Sequence, residues 1–136
     1  MRLAIASDLH IEFGDIILDN IVTKADVLVL AGDICMLKDL DKESERGDRT
    51  RNFFQRVSFQ FPQVLYVMGN HEHYSGRWND TANILRQELA AWPNIRLLDN
   101  EWVDMGDVRI AGTSLWTDLN NGDPLTLMSM PQMMND

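Results

Sequence analysis

The sequence predicts an α/β fold built on a mostly parallel sheet. Three observations carry this. Short apolar runs suited to buried strands recur at residues 3–6, 27–31 and 64–68. The stretches between them carry helical spacing. Each run also ends in residues that bind metal or move protons: Ser7-Asp8-Leu9-His10, Gly32-Asp33, and Gly69-Asn70-His71-Glu72-His73. Open parallel sheets place their sites just beyond the carboxyl ends of their strands, so one site assembled from three loops is expected.

In order, strand one occupies residues 1–7 and opens the chain without a leader, so a native N-terminus is expected. Gly14-Asp15 turns, and Asp15 caps a short helix marked by Ile17, Leu18, Ile21 and Val22. Strand two follows at 27–31. Two strands and a crossover within about 30 residues make a βαβ unit with parallel strands. Residues 36–51 are the most polar stretch, with Lys38, Asp39, Asp41, Lys42, Glu43, Glu45, Arg46, Asp48 and Arg51. They read as a solvated loop, and alternatively as a lid beside the site. Asp48 then caps a helix over 49–60 whose face is Phe53, Phe54, Val57 and Phe61, and Pro62 stops it.

Strand three runs over 64–68. Beyond the Gly69 cluster, 74–78 form a loop. Asp80 or Thr81 caps a helix over 81–92 with Ile84, Leu85, Leu89 and Trp92 inward. Residues 95–98 make strand four, Trp102-Val103 a short strand, Met105-Gly106-Asp107 a hairpin-like turn, and 108–115 the last clear strand. After Trp116 the pattern fades into a loop at 120–124 and a methionine-rich tail (Met128, Met130, Met133, Met134) that reads as core packing or a sticky end. The 136 residues are one domain's worth, and the domain is expected to be incomplete at its C-terminus.

Composition narrows the function classes. Hydrophobic residues make up 45% and charged residues 24%, ordinary for a soluble globular chain. No apolar run approaches the roughly 18 residues of a membrane span. The single cysteine, Cys35, excludes an internal disulfide framework and fits a reducing cytoplasm; it reads as a small buried residue. A net charge of −9 argues against broad nucleic-acid binding. It does not exclude a small phosphate ester held by metal ions, because a bound dication dominates its own neighbourhood.

The residue types point to metal chemistry. Asp8 and His10, one residue apart, can turn toward one ion from a tight loop. Carboxylate, imidazole and amide donors suit Mn, Fe or Zn. Gly32 lets the backbone approach a ligand, freeing Asp33 to bridge two ions. Two such ions can clamp an attacking hydroxide and a phosphoryl oxygen in one in-line displacement. His71 would then lie near the substrate, to protonate the leaving oxygen or stabilise charge. Each motif alone has a plain rival: Asp-x-His as loop and cap residues, Gly32-Asp33 as a turn, Asn70 and His71 as a loop amide and a surface imidazole. The joint pattern of three polar clusters after three strands carries the weight. Glu72 reads as an orienting hydrogen-bond acceptor and His73 as a loop residue or a partner of the ligands. Trp116 and Asp118 read as core and turn, with substrate contact as the lesser alternative.

Asp8-Leu9-His10, Gly32-Asp33 and Gly69-Asn70-His71-Glu72 together resemble the calcineurin-like metallophosphoesterase family, over roughly residues 1–118. The resemblance implies a two-sheet sandwich flanked by helices (αββα), here limited to its first half. It implies that Asp8 and His10 bind a first metal, Asp33 bridges, Asn70 binds a second, and His71 faces the phosphate and assists the leaving group. A hydroxide bridging the metals attacks phosphorus in that family, on monoesters or diesters. The family continues with a further histidine and a Gly-His-x-His segment that complete both metals, whereas no histidine follows His73 here. Two expectations follow: a dinuclear metal-dependent phosphoester hydrolase, manganese among its candidate metals, or a non-catalytic half-site that serves as an interaction module. For a half-site, pairing with a second copy through an exposed sheet is one way to recover burial.

Overall fold

Parallel pairing dominates the chain. The computed structural model describes residues 1–18, 25–40, 43–74, 78–115 and 117–133. Four strands, β1 (Leu3–Ala6), β2 (Val27–Ala31), β3 (Gln63–Val67) and β4 (Ile95–Leu97), form one sheet in the order β1-β2-β3-β4, every pair parallel. An antiparallel hairpin, β5 (Glu101–Met105) with β6 (Val108–Gly112), forms a second, two-stranded sheet. Helices α1 (Leu37–Leu40), α2 (Glu45–Gln60) and α3 (Trp78–Leu89) lie in the crossovers, and α4 (Leu119–Gly122) and α5 (Pro124–Met133) follow the hairpin.

Strand alternation sorts the side chains between two cores. Ala4, Leu28, Leu30, Val64 and Tyr66 face the helices and join Phe53, Phe54 and Val57 of α2 and Leu85 and Leu89 of α3 in one cluster. Their neighbours Val27 and Leu65 point the other way, against Leu98 and the partly buried Val103, Met105 and Ile110 of the hairpin. The two central strands are therefore covered on both faces, which is why they read as continuous apolar runs. Each fully buried large apolar side chain of α2 is worth about 1.5–3 kcal/mol in transfer terms, so this helix-to-sheet layer holds the strand ends in place.

Several boundaries differ from the sequence reading. The polar stretch 36–51 is not an uninterrupted loop: it contains α1 and the first turns of α2. Ser44, not Asp48, caps α2, accepting the Gly47 N–H at 3.1 Å. Asp48 lies in the first turn and pairs with Arg51 at 2.8 Å, and charge on that surface masked the helical register. Helix α3 starts at Trp78, ahead of the expected 81, and ends at Leu89. Thr81 takes the inward position expected of Ile84, which is exposed, while Trp92 is buried beyond the helix end. The last strand stops at Gly112, where a Cβ would overlap Leu98. In the tail, Leu125 and Met128 are exposed, which fits a sticky end rather than core packing. The helix expected around 17–22 lies largely outside the described residues; Leu18, within them, is buried. Among the described residues no helix is long and apolar enough to cross a membrane.

Candidate metal centre

The loops that leave β1 and β2 are laced together by their own backbone. The N–H groups of Asp8, His10 and Ile11 donate to the carbonyls of Gly32, Asp33 and Ile34 at 3.0, 3.1 and 2.9 Å. Asp8, His10 and Asp33 carry φ values of 53°, 46° and 54°. That left-handed region is uncommon for residues with a Cβ and collects at functional sites. The third loop joins at a glycine contact: a Cβ on Gly32, itself at φ +88°, would lie 3.1 Å from the backbone of Gly69.

Glu72 ties the three loops into one unit. Its Oε1 accepts the Ile34 N–H at 2.8 Å and the Tyr66 hydroxyl at 2.7 Å. Its Oε2 accepts the Gly69 N–H at 2.7 Å and the Asp33 N–H at 3.2 Å. The side chain is buried, and four donors satisfy a carboxylate that would otherwise be costly there. Burial, with Cys35 and Glu72 beside it, pushes the Tyr66 hydroxyl well above its ordinary range, so it stays protonated and donates. Burial likewise pushes the Cys35 thiol up.

The acidic and imidazole groups form two overlapping sets. Asp8, His10 and Asp33 each offer a ligand atom within 4.8 Å of the others, and so do His10, Glu12 and His71. Asp33 is held from the third loop as well, since the His71 N–H donates to its Oδ1 at 3.0 Å. His71 Nδ1 lies 2.7 Å from Glu12 Oε1, His10 Nδ1 lies 3.3 Å from the same oxygen, and the two Nδ1 atoms are 3.1 Å apart. Glu12 is 3% exposed, and its Oε2 is buried without a hydrogen-bond partner. Arg49, reaching from α2, donates to the carbonyls of Ile11 and Glu12 at 3.3 Å each and fixes the 3₁₀ turn Ile11–Phe13 that carries the glutamate.

Asn70 and His73 flank His71 and make contacts of their own. The Asn70 amide donates to the Tyr74 hydroxyl at 3.0 Å. Asn70 also lines a cavity of about 230 Å³ together with Met68, Gly69, Trp78, Thr113 and Ser114. His73 stacks on Trp78, with ring centroids 3.7 Å apart and planes at 17°. Burial lowers its pKa, against an opposing pull from Asp99. Asp118 is exposed, and its carboxylate accepts the Asn120 N–H at 3.0 Å as a turn residue. Trp116 lies outside the described residues.

Sequence reasoning missed Glu12 and Tyr66. Glu12 stands two residues beyond His10, so Asp8-x-His10-x-Glu12 was the available signal, yet an acid in a turn looks like any surface acid. Tyr66 sits inside a strand, where an aromatic residue needs no functional explanation.

The donor set fits divalent cations. Carboxylate oxygens and imidazole nitrogens converge within ligand reach, and a buried carboxylate oxygen has no other partner.

Comparison with known proteins agrees with this chemistry. The profile of the calcineurin-like phosphoesterase family matches residues 1–136. An uncharacterized protein of Acanthamoeba polyphaga mimivirus is 29% identical over 126 residues, covering 87% of this chain and 45% of that protein. An uncharacterized metallophosphoesterase of Campylobacter jejuni is 26% identical over 129 residues, covering 90% of this chain and 32% of that protein. The chain thus spans less than half the length of either relative.

Proposed function

From the premise that the chain belongs to the calcineurin-like phosphoesterase family, we propose that it serves metal-dependent hydrolysis of small phosphate esters at a dinuclear centre. We read residues 1–136 as one domain of this type. Asp8 and His10 would hold one ion, Asp33 would bridge, and Asn70 would hold the second, with Mn, Fe or Zn as the metals. Divalent ions bound there supply Lewis-acid stabilisation of phosphoryl charge and a water of lowered pKa.

The chain's own groups do the rest. Asp33 belongs to the β2 loop, yet it accepts the N–H of His71 from the β3 loop, which joins ligand and acid across the two loops. His71 holds the proton that the leaving oxygen requires. Glu72 fixes the loop spacing that both depend on. The observation that carries the reading is the convergence of Asp8, His10 and Asp33 within 4.8 Å from two strand ends. Four protein ligands are few for two ions that each take four or more. That shortage favours the second reading, a metal-binding module without turnover, for this chain alone.

Hydrolysis of para-nitrophenyl phosphate and of its bis-ester, with and without added Mn, Fe or Zn, separates the two. Metal-dependent turnover that disappears in Asp33→Ala supports the hydrolase. A folded sample inert with every metal leaves the binding module.

A further inference from the structure

We infer that Trp78 and the cavity beside it form a subsite for the organic group of the ester, and that the esters it favours carry a planar aromatic ring. This rests on the hydrolase reading and adds a substrate class to it. The cavity adjoins Asn70, so a group held there lies next to a phosphate bound at the strand ends. Its volume of about 230 Å³ exceeds the roughly 150 Å³ of an apolar cavity that accepts benzene, so one ring or a fused pair fits. Trp78 supplies the aromatic face. It opens α3 and is 52% exposed, whereas tryptophan is highly buried on average. His73 covers one side of the indole, with the ring centroids 3.7 Å apart. That histidine lines the neighbouring cavity, with Asp99 and Asn100, and does not line this one. The side of the indole turned toward Asn70 is therefore the one that the imidazole leaves uncovered.

The rest of the wall is built before any ligand arrives. The Ser114 hydroxyl donates to the Met68 carbonyl and ties the end of the hairpin to the end of β3. The Thr113 hydroxyl donates to Asn100 Oδ1. The His73 N–H donates to the Asn70 carbonyl at 3.0 Å, which holds the support of the indole in register with Asn70. Such pre-formed walls lower the ordering cost of binding. The hydroxyl protons of Thr113 and Ser114 are engaged inside the fold, so these two side chains present oxygen lone pairs, beside apolar surface from Met68 and Leu115. Recognition therefore falls on the face of a ring, which every aromatic group has, and not on a pattern of donors at its edge. Core packing does not explain these side chains, since Leu115 is 89% exposed and Trp78 half exposed.

Phenylphosphonate and methylphosphonate share the phosphoryl group and resist ester hydrolysis, so the difference between them reads the subsite. In calorimetric titration of the chain with Mn present, phenylphosphonate should bind about 5- to 10-fold more tightly. Trp78→Ala should erase that preference, Trp78→Phe should keep most of it, and methylphosphonate should bind all three chains alike. Leu115→Ser, at an exposed rim position, should weaken phenylphosphonate alone. In turnover, Trp78→Ala should raise KM for phenyl phosphate and leave kcat in place, because a ring contact serves ground and transition states equally. Equal affinities of the two phosphonates for the wild-type chain overturn the subsite whether or not any variant folds, and so does a failure of phenylphosphonate to bind. A preference that survives in Trp78→Ala or, should that variant not fold, in Leu115→Ser places the ring elsewhere and overturns it as well. Ester turnover without any preference for the aryl phosphonate leaves the hydrolase reading standing and removes the subsite. An aryl preference in a chain inert with every metal does the reverse.

Discussion

Gly69 packs so tightly on Asp33 that a β-carbon at position 69 would collide with the Asp33 carboxylate and lie 2.7 Å from its backbone nitrogen. The glycine is needed for close approach and not for an unusual backbone angle, because among the described glycines the positive φ values fall on Gly32, Gly106 and Gly122. Gly69→Ala must push the β2 and β3 loops apart. The expected outcome is a loss of about 1–3 kcal/mol of stability from overpacking, with a larger relative loss of divalent-metal affinity, since Asp33 is the group displaced. Calorimetric titration with Mn, alongside urea unfolding, checks this. Wild-type metal affinity in the variant would show that Asp33 does not ligate.

Removing Glu72 should act on the fold before it acts on chemistry. Its two oxygens satisfy the N–H groups of Asp33, Ile34 and Gly69 and the Tyr66 hydroxyl. Glu72→Ala strands four donors in a buried place. At about 1–3 kcal/mol for each unsatisfied group, a loss of at least about 3 kcal/mol is expected even after water enters. Urea unfolding measures it. A change below about 1 kcal/mol would mean that the clamp is dispensable and that solvent replaces it.

These two contacts mark the limit of what the sequence disclosed. Strand positions and their parallel order were legible because Leu28, Leu30, Val64 and Tyr66 belong to runs that a doubly covered sheet requires. The glycine and acidic residues at the strand ends were legible because open sheets use that edge. Helix starts were not, since α2 is capped by Ser44 within a charged stretch whose polarity looked like a loop. Glu12 was invisible for a related reason: burial decides whether an acid is a solvated turn residue or an anchor, and the turn that carries position 12 is held by Arg49, 37 residues away. The stack of His73 on Trp78 depends in the same way on where α3 begins.

An apolar stripe on the edge strand carries a prediction about association. Leu3 and Ile5 of β1 are 44% and 66% exposed. They sit beside Val27 and Val29 on the face away from the helices. The hairpin packs against Val27, Leu65 and Val67 and leaves this stripe bare. Exposed apolar strands at a sheet edge invite pairing. The chain should therefore self-associate with rising concentration, with a second copy covering the stripe. Ile5→Lys should shift sedimentation velocity toward the monomer without altering the unfolding midpoint. An identical distribution of species in the variant would place the contact elsewhere.

Acid sensitivity should be traceable in part to His73. Burial holds its imidazole below the ordinary histidine range, while the Asp99 carboxylate pulls the other way. Its Nδ1 is buried without a partner, and its ring lies flat on Trp78. The unfolded chain therefore takes up a proton on this ring at a higher pH than the folded chain does. The stability this ring contributes is complete above the unfolded value of about 6.5 and is lost as pH falls from there toward the lower folded value. His73→Phe keeps the aromatic stack and removes the titrating group. In metal-free chain, its urea midpoint should fall less steeply than that of the wild type between about pH 7 and pH 5. Parallel curves would mean that His73 takes up its proton equally in both states and that its burial has no consequence for folding.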